Sequence, residues 1–596
     1  MKRRILRIFS IFEQLRTSEQ TIMAILAMIV GLAAGFGAVG FRHLINFFQK
    51  ICYGTSGNLL EHVQTLEWQS IIWIPAIGGL IVGPLIYFYA REAKGHGVPE
   101  VMEAIALKGG LIRKRLVFVK TLASAICIAS GGSVGREGPI VQIGSAIGST
   151  ISQVLKVSTE RMKTLVGCGA AAGIAATFNA PIAGAMFALE IILGDFGIAT
   201  FSPIVISSVA ATAVSRHFLG DSPAFIVPSY ELVSSWEFPL YFFLGILCAL
   251  VALAFVFMLY RTEDFFNRLR FPEYLRPVLG GIILGCMALV FPQILGVGYG
   301  AIDQVLLQQF SWYFVLFLVF VKILATSITI GSGGSGGIFA PSLFIGAMTG
   351  GCFGIFVHTV FPDITASPAA YSIVGMGAVV SAATHGPLTA ILMLFEMTGD
   401  YKIILPLMIT CIISSVVISQ IKKESIYTLK LIRKGIDIKA GREINLLKSI
   451  PVKSVMNKKV QTLFDGLTMG RLFQIISKSK YNSFPVIDKD NKLTGMLSFN
   501  DYSEALFNED LKHLVIVRDI ATLDVVKISV NDNIFNALEK ISPRDLSILP
   551  VVSFEDDTKL LGILTRRDIM RAYNQAVQKK ILSSHINVPA YKKDKI

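Results

Sequence analysis

The chain has 596 residues, 53% of them hydrophobic and only 16% charged, where a soluble globular protein carries about 25% charged residues; an ordinary soluble enzyme is excluded. The net charge of +14 gathers at the edges of the apolar region, with Lys2, Arg3, Arg4 and Arg7 before it and Lys422, Lys423, Lys430, Arg433 and Lys434 after it. Lys and Arg beside membrane segments stay on the cytoplasmic side, so both termini are expected there and the number of crossings is even; no basic run interleaved with aromatics suggests a nucleic-acid partner.

Residues 1–20 are amphipathic and charged, without the apolar core and cleavage site of a signal peptide, and read as a cytoplasmic segment. Apolar stretches follow near 21–41, 71–90, 116–130, 140–155, 165–193, 198–219, 239–260, 275–296, 312–330, 338–361, 371–395 and 403–421. They define a membrane region of residues 21–428, most simply in the plasma (inner) membrane. The stretches at 116–130 and 140–155 are shorter than the roughly 20 residues that cross the hydrocarbon core, and they flank a glycine-rich interruption. Irregular backbone at membrane depth is tolerated where it is buried in protein or lines a cavity, and transporters use such broken helices to aim helix ends at an ion. The seven cysteines form no C-x-x-C pair, so no disulfide framework, zinc site or other metal site is indicated.

The region repeats internally. Residues 119–139 (VKTLASAICIASGGSVGREGP) match 321–341 (VKILATSITIGSGGSGGIFAP), pairing Val119, Lys120, Ser130, Gly131, Gly132, Ser133, Gly135 and Pro139 with Val321, Lys322, Ser332, Gly333, Gly334, Ser335, Gly337 and Pro341. A second match follows in order: Val166-Gly-Cys-Gly leads to Pro181 and Glu190, and Val374-Gly-Met-Gly leads to Pro387 and Glu396. Two halves, about 21–220 and 221–428, arise from one unit. An odd number of crossings per half would make them antiparallel, with the functional site where they meet. The other reading of the glycines is close helix packing.

Gly135-Arg-Glu-Gly-Pro139 and Gly337-Ile-Phe-Ala-Pro341 suit helix starts, where free N–H groups and the positive end of the dipole attract anions. Glycine allows close approach and proline at the first turn costs no hydrogen bond. If the two starts converge, backbone amides replace water around a small monovalent anion, and partial charges let it leave as well as enter. Glu137 stands where its repeat partner is Phe339, and an ionised carboxylate at a helix start is itself an anion bound to that helix. Glu137 is therefore a candidate gate that fills an anion site until protonation or displacement frees it; a first-turn glutamate that only stabilises the dipole is the alternative.

Beyond 445 the pattern changes to alternating strands and helices. Residues 429–450 read as a linker and 574–596 as a charged tail. Between them, 451–573 carry the order strand, helix, strand, turn, strand, helix twice, beginning with PVKSVM in the first copy and VRDIATLDVVKIS in the second.

GREGP (135–139), GGIFAP (336–341), GHGVPE (95–100) and VGMGAVVSAATHGPLTAILMLFEMTGDY (374–401) resemble the CLC family of chloride channels and chloride/proton exchangers over nearly all of residues 20–435. The resemblance implies an all-α polytopic membrane domain of tilted, often broken helices in inverted repeats. It also implies a homodimer in the lipid bilayer with one pore per subunit and chloride as substrate. It carries the anion-binding role to the backbone around Arg136, Glu137 and Gly138 and around Gly337, Ile338, Phe339 and Ala340, makes Glu137 the external gate, and makes Tyr427 (in SIYTLKL) the inner tyrosine whose hydroxyl meets the central anion. An interfacial aromatic anchor is the other reading of Tyr427.

Two departures bear on function. The family's G-S-G-I-P loop is Gly95-His96-Gly97-Val98-Pro99 here, so His96 and Gly97 take the place of the anion-contacting loop. A neutral imidazole can donate one hydrogen bond and histidine can titrate near neutrality; a loop histidine turned elsewhere is the alternative. The family's inner proton glutamate corresponds to Ile191, which cannot carry a proton, while the adjacent Glu190 and its counterpart Glu396 suit a structural role at helix ends. The expectation is channel-like anion transport, with a chloride/proton exchanger as the alternative.

The 451–573 segment resembles a pair of CBS domains, giving an α/β cytoplasmic module. The resemblance implies an adenine nucleotide or cyclic dinucleotide as ligand, with Ser498, Asp501, Thr565 and Asp568 as the nucleotide-binding candidates in two S/T-x-x-D turns. Helix capping explains the same pattern. A membrane zinc protease is excluded because none of the eight histidines forms H-E-x-x-H. A divalent-cation transporter would need more buried carboxylates than Glu137, Glu190 and Glu396. No catalytic residue and no resident cofactor is expected.

Overall fold

The computed structural model describes residues 19–55, 59–221, 232–436, 447, 450–479, 481–503, 514–542 and 546–585. The basic N-terminal cluster, most of the expected linker beyond 436 and the end of the tail lie outside the described residues. The chain divides into two compact units, Met1–Ile436 and Asp437–Ile596.

In the first unit one helix order occurs twice. The first half contains α1 (Glu19–Tyr53), α2 (Trp68–Tyr89), α3 (Val98–Lys108), α4 (Arg115–Ala129), α5 (Glu137–Leu155), α6 (Thr159–Phe178), α7 (Pro181–Phe187) and α8 (Ile198–Leu219). The second contains α9 (Glu237–Arg268), α10 (Arg276–Val290), α11 (Tyr299–Leu306), α12 (Trp312–Gly331), α13 (Phe339–Val360), α14 (Pro368–Thr384), α15 (Pro387–Thr398) and α16 (Ile404–Ile421), after which α17 (Thr428–Arg433) closes the unit. Among the described residues, eight helices are long and apolar enough to cross a membrane.

The apolar stretches at 165–193 and 371–395 are each two helices. Asn179 and His385 adopt left-handed backbone (φ 59° and 56°), and Pro181 and Pro387 then open new helices. Hydropathy cannot register such breaks, because the breaking residues are too few to lower the local average.

The halves meet about a two-fold relation. Gly135 N–H donates to Gly337 O (2.8 Å) and Gly337 N–H to Gly135 O (2.6 Å), an antiparallel bridge between repeat equivalents. Ser124 Oγ to Ser335 Oγ (2.9 Å) and Thr326 Oγ1 to Ser133 Oγ (3.4 Å) are one contact seen from each half. The chain therefore runs in opposite directions at equivalent places, as an inverted repeat requires. Small residues set the packing: a Cβ on Gly144 would lie 2.1 Å from Gly169 O, and one on the equivalent Gly346 2.3 Å from Gly375 O. Any side chain there would separate α5 from α6 or α13 from α14.

The second unit holds two three-stranded sheets, β1 (Leu463–Phe464), β2 (Ser483–Ile487) and β3 (Leu493–Ser498), then β4 (Ile528–Ser529), β5 (Ile548–Val552) and β6 (Leu560–Thr565). In each, the outer pair is parallel on one side and antiparallel on the other. PVKSVM holds a helical turn, Val452–Val455, rather than the expected strand, with Pro451 in extended backbone just before it. The leading turns are exchanged: Val452 lies in the core of the second repeat with Ile534 and Leu549, and Val517 in that of the first with Leu472 and Phe484.

Candidate functional site

The two glycine-rich interruptions meet at the repeat interface. Arg136 precedes α5 and Ile338 precedes α13, so both helices start beside the Gly135–Gly337 bridge. A Cβ on Gly138 would lie 2.9 Å from Gly337 Cα and 2.2 Å from His96 O; only glycine lets the three segments close this tightly. Gly97, with φ of 86°, caps α3, and a Cβ there would meet Gly138 O at 2.9 Å.

The Glu137 carboxylate lies among these tips. Its Oε2 accepts from Ala340 N at 3.4 Å, and its Oε1 accepts from the Tyr299 hydroxyl at 2.9 Å; the residue is 1% exposed. A negative group thus occupies the place where N–H donors from a helix start converge, as an anion would. Arg136 lays its guanidinium over the Tyr299 ring at 5.4 Å from the centroid. Phe339 packs its ring against Phe178 and Phe187, so what it and Ile338 offer an ion is backbone.

On the other side of Gly138 stand His96 and Tyr427, both buried, with ring centroids 5.8 Å apart. Among the described residues, His96 Nδ1 and both polar atoms of the Gln142 side chain are buried without hydrogen-bond partners, and Gln142 Oε1 would be 3.0 Å from a Cβ on Gly97. Buried polar groups are normally satisfied. The Gln142 amide N–H, and the His96 ring nitrogen in the tautomer that protonates Nδ1, are donors an anion beside the helix start could use.

Two lysines absent from the sequence-based candidates hold the loops in place. Lys120 Nζ donates to Ala93 O (3.0 Å) and Gly95 O (2.8 Å); its repeat partner Lys322 donates to Ile294 O (3.0 Å) and Gly296 O (3.3 Å). Each lysine ties down the segment entering a glycine-capped helix, α3 after Gly97 and α11 after Gly298. Gly296-Val-Gly-Tyr299 is thus the counterpart of Gly95-His-Gly-Val98. Extending the repeat upstream from the lysines was the available signal for Tyr299.

Glu190 and Glu396 exchange caps between halves. Glu190 accepts from Leu388 N (3.1 Å), Thr389 N (2.8 Å) and the Thr389 hydroxyl (2.7 Å) at the start of α15. Glu396 accepts from Ile182 N (3.0 Å) and Ala183 N (2.7 Å) at the start of α7. Each carboxylate caps a helix start of the opposite half. Ile191 lies in a π-helical turn, Ala188–Leu193, that continues α7, buried with its Cδ1 against Gly386.

Two cavities reach the meeting point. One, of about 460 Å³, is lined by Arg91, Glu92, Lys94, Gly95 and His96 with Glu100, Lys430 and Lys434. The other, of about 410 Å³, is lined by Pro292, Gln293 and 295–301, Tyr299 among them, with Arg42 and Arg136. They share no lining residue, and the segments that form them are repeat equivalents.

The model of the voltage gated chloride channel family matches residues 78–419, and that of the CBS domain matches residues 452–508 and 517–575. The chain belongs to the CLC family. A putative chloride channel protein ClcB-like from Ralstonia nicotianae is 36% identical over 415 residues, 69% of this chain and 97% of the relative. The H(+)/Cl(-) exchange transporter ClcA of Salmonella newport is 32% identical over 433 residues, covering 70% and 90%. The crystal structure of a slow cyanobacterial Cl-/H+ antiporter matches with a TM-score of 0.64 at 28% identity, over 70% of this chain and 98% of that one. This CLC protein is accordingly an integral, multi-pass membrane protein of anion transport with a CBS pair attached.

In the CBS unit both S/T-x-x-D turns close on themselves. Asp501 Oδ2 accepts from Ser498 Oγ (2.7 Å) and Ser498 N (2.6 Å); Asp568 Oδ2 accepts from Thr565 Oγ1 (2.5 Å) and Thr565 N (3.2 Å). Each Asp secures the turn after the last strand of its repeat. The same groups would have to be shared with any bound ribose or phosphate.

Proposed function

We propose that the protein conducts chloride or a similar monovalent anion between the two cavities, past the paired tips of α5 and α13, with Glu137 as the gate and His96, Gly97, Gly138, Ala340 and Tyr427 along the path. The observation that carries this reading is the Glu137 carboxylate held at Ala340 N, in the place an anion would take. Ionised, it blocks the path; neutralised, it loses its attraction to the helix start and yields to a halide. Chain ends on the cytoplasmic side of the plasma membrane and a homodimer with one pore per subunit belong to the same reading.

Transport is channel-like on this proposal, since Ile191 offers no proton site next to the path. A proton-coupled exchanger is the second reading, favoured by the unpartnered His96 Nδ1 and Gln142 amide beside the first cavity and by relatives described as exchange transporters. Reversal potentials in reconstituted vesicles under combined chloride and pH gradients decide: a potential set by chloride alone is expected, and dependence on both gradients replaces the channel with an exchanger. Glu137→Gln is expected to remove the pH dependence of flux in either case. Unchanged pH dependence in that variant overturns the gate.

A further inference from the structure

We propose that Tyr299 is a latch that holds the gate shut, and that its hydroxyl sets the pH at which the path opens. The inference rests on the reading of Glu137 as gate and adds the residue that restrains it.

Glu137 belongs to the first half, yet both hydrogen bonds given to its carboxylate by other residues come from the second: Tyr299 on one oxygen, Ala340 N on the other. Tyr299 is the first residue of α11, after Gly298 at φ of 90°, and Lys322 anchors the approach through Gly296 O. Arg136 stacks on the ring from the gate side. The phenol is thus fixed in position before the carboxylate meets it. It lines the 410 Å³ cavity, the space next to the gate, so the carboxylate breaks this bond when it swings out.

The duplication provides an internal comparison. The repeat equivalents of Glu137 and Tyr299 are Phe339 and Val98, an apolar pair. The Glu137–Tyr299 pair across the halves is polar and its symmetry mate, Phe339–Val98, is apolar, so the hydroxyl is matched to the carboxylate rather than to the scaffold the halves share.

The sign follows from hydrogen-bond chemistry. An ionised carboxylate only accepts, and a phenol donates to it strongly; once protonated, it accepts less well. The latch therefore favours the closed, ionised form. The charged or titratable groups around Glu137 are Arg136 beside it, Tyr299 on α11, Arg42 on α1 beyond Arg136, and Tyr427 on the side of the first cavity. Arg136, Arg42 and Tyr427 are unchanged in the variants below.

Chloride flux is measured against pH in vesicles holding the full chain. Tyr299→Phe keeps the ring under Arg136 and removes one charge-assisted bond, so half-maximal flux is expected about one pH unit higher, a shift equivalent to a roughly tenfold change in the closed-to-open ratio. Site-specific replacement of Tyr299 by a difluorotyrosine, a stronger donor of nearly the same shape, is expected to move the half-point to lower pH. This second variant keeps the test decisive if Tyr299→Phe does not assemble. On a Glu137→Gln background neither change at Tyr299 has a carboxylate to act on, and the flux is expected to stay flat with pH. A half-point unmoved by both changes, or moved the same way by both, overturns the latch and leaves the gate standing. pH dependence that survives Glu137→Gln overturns the gate itself.

Discussion

His96 is where this chain departs most clearly from the serine loop its sequence resembles, and the structure places it next to Tyr427 with Nδ1 unpartnered. A hydrogen bond to an ion is worth about 1–3 kcal/mol net. His96→Phe keeps a ring but removes both nitrogens, and chloride binding measured by titration calorimetry on the purified protein is expected to weaken by about fivefold or more. His96→Ser keeps a donor and is expected to retain chloride affinity within about threefold while changing the preference among chloride, nitrate and fluoride. Identical affinity and selectivity in both variants takes His96 out of the path. This site was legible from Gly95-His-Gly-Val-Pro because loop glycines and proline announce a helix start. Tyr299 was not, because its loop keeps only the glycines of its counterpart and carries its function in a side chain the repeat does not share.

At the level of helices, the exchanged caps of Glu190 and Glu396 tie α7 to α15. Thr389 N and Ala183 N are partly buried donors that lose their acceptor in Glu190→Ala and Glu396→Ala, at a cost of about 1–3 kcal/mol each. Both variants are expected to lower the thermal unfolding temperature of the purified protein by similar amounts, with chloride-over-nitrate selectivity unchanged. A change in selectivity without loss of stability would place these glutamates in the path instead. The equal spacing of each Glu from its Pro was visible in the sequence. That each cap serves the opposite half was not, since the bonds join residues about two hundred positions apart and no local pattern encodes the pairing. The same limit hid the helix breaks at Asn179 and His385, where left-handed backbone does the work that proline only marks.

For the whole molecule, the fold class was legible because hydropathy fixed the membrane region and the shared S-G-G-S-x-G-x-x-x-P order fixed its duplication. The antiparallel sense of the halves was legible only through the family resemblance, because counting crossings fails when helices are broken and of unequal length; the Gly135–Gly337 bridge supplies it directly. In the CBS unit the strand order was readable but its leading turns were not, since PVKSVM has the composition of a strand and the docking of a helical turn. Self-closing of the Ser498–Asp501 and Thr565–Asp568 turns bears on regulation. ATP, ADP, AMP and cyclic dinucleotides titrated into the full-length protein are expected to bind only if these Asp carboxylates are shared with ribose, so Asp501→Asn together with Asp568→Asn is expected to weaken binding at least tenfold. A ligand that binds the double variant unchanged uses another surface of the unit. Ligand control of transport further requires different affinity for the open and closed forms.

The traded carboxylates also say something about assembly. A single half leaves one helix start uncapped and one acid with nothing to cap, and both defects vanish when a second copy is placed upside down beside it. Two copies of such a half, one inverted beside the other, therefore complete each other, and the covalent link between them is not what holds the caps in place. Residues 19–221 and 232–436 made as separate chains in one membrane should still find each other.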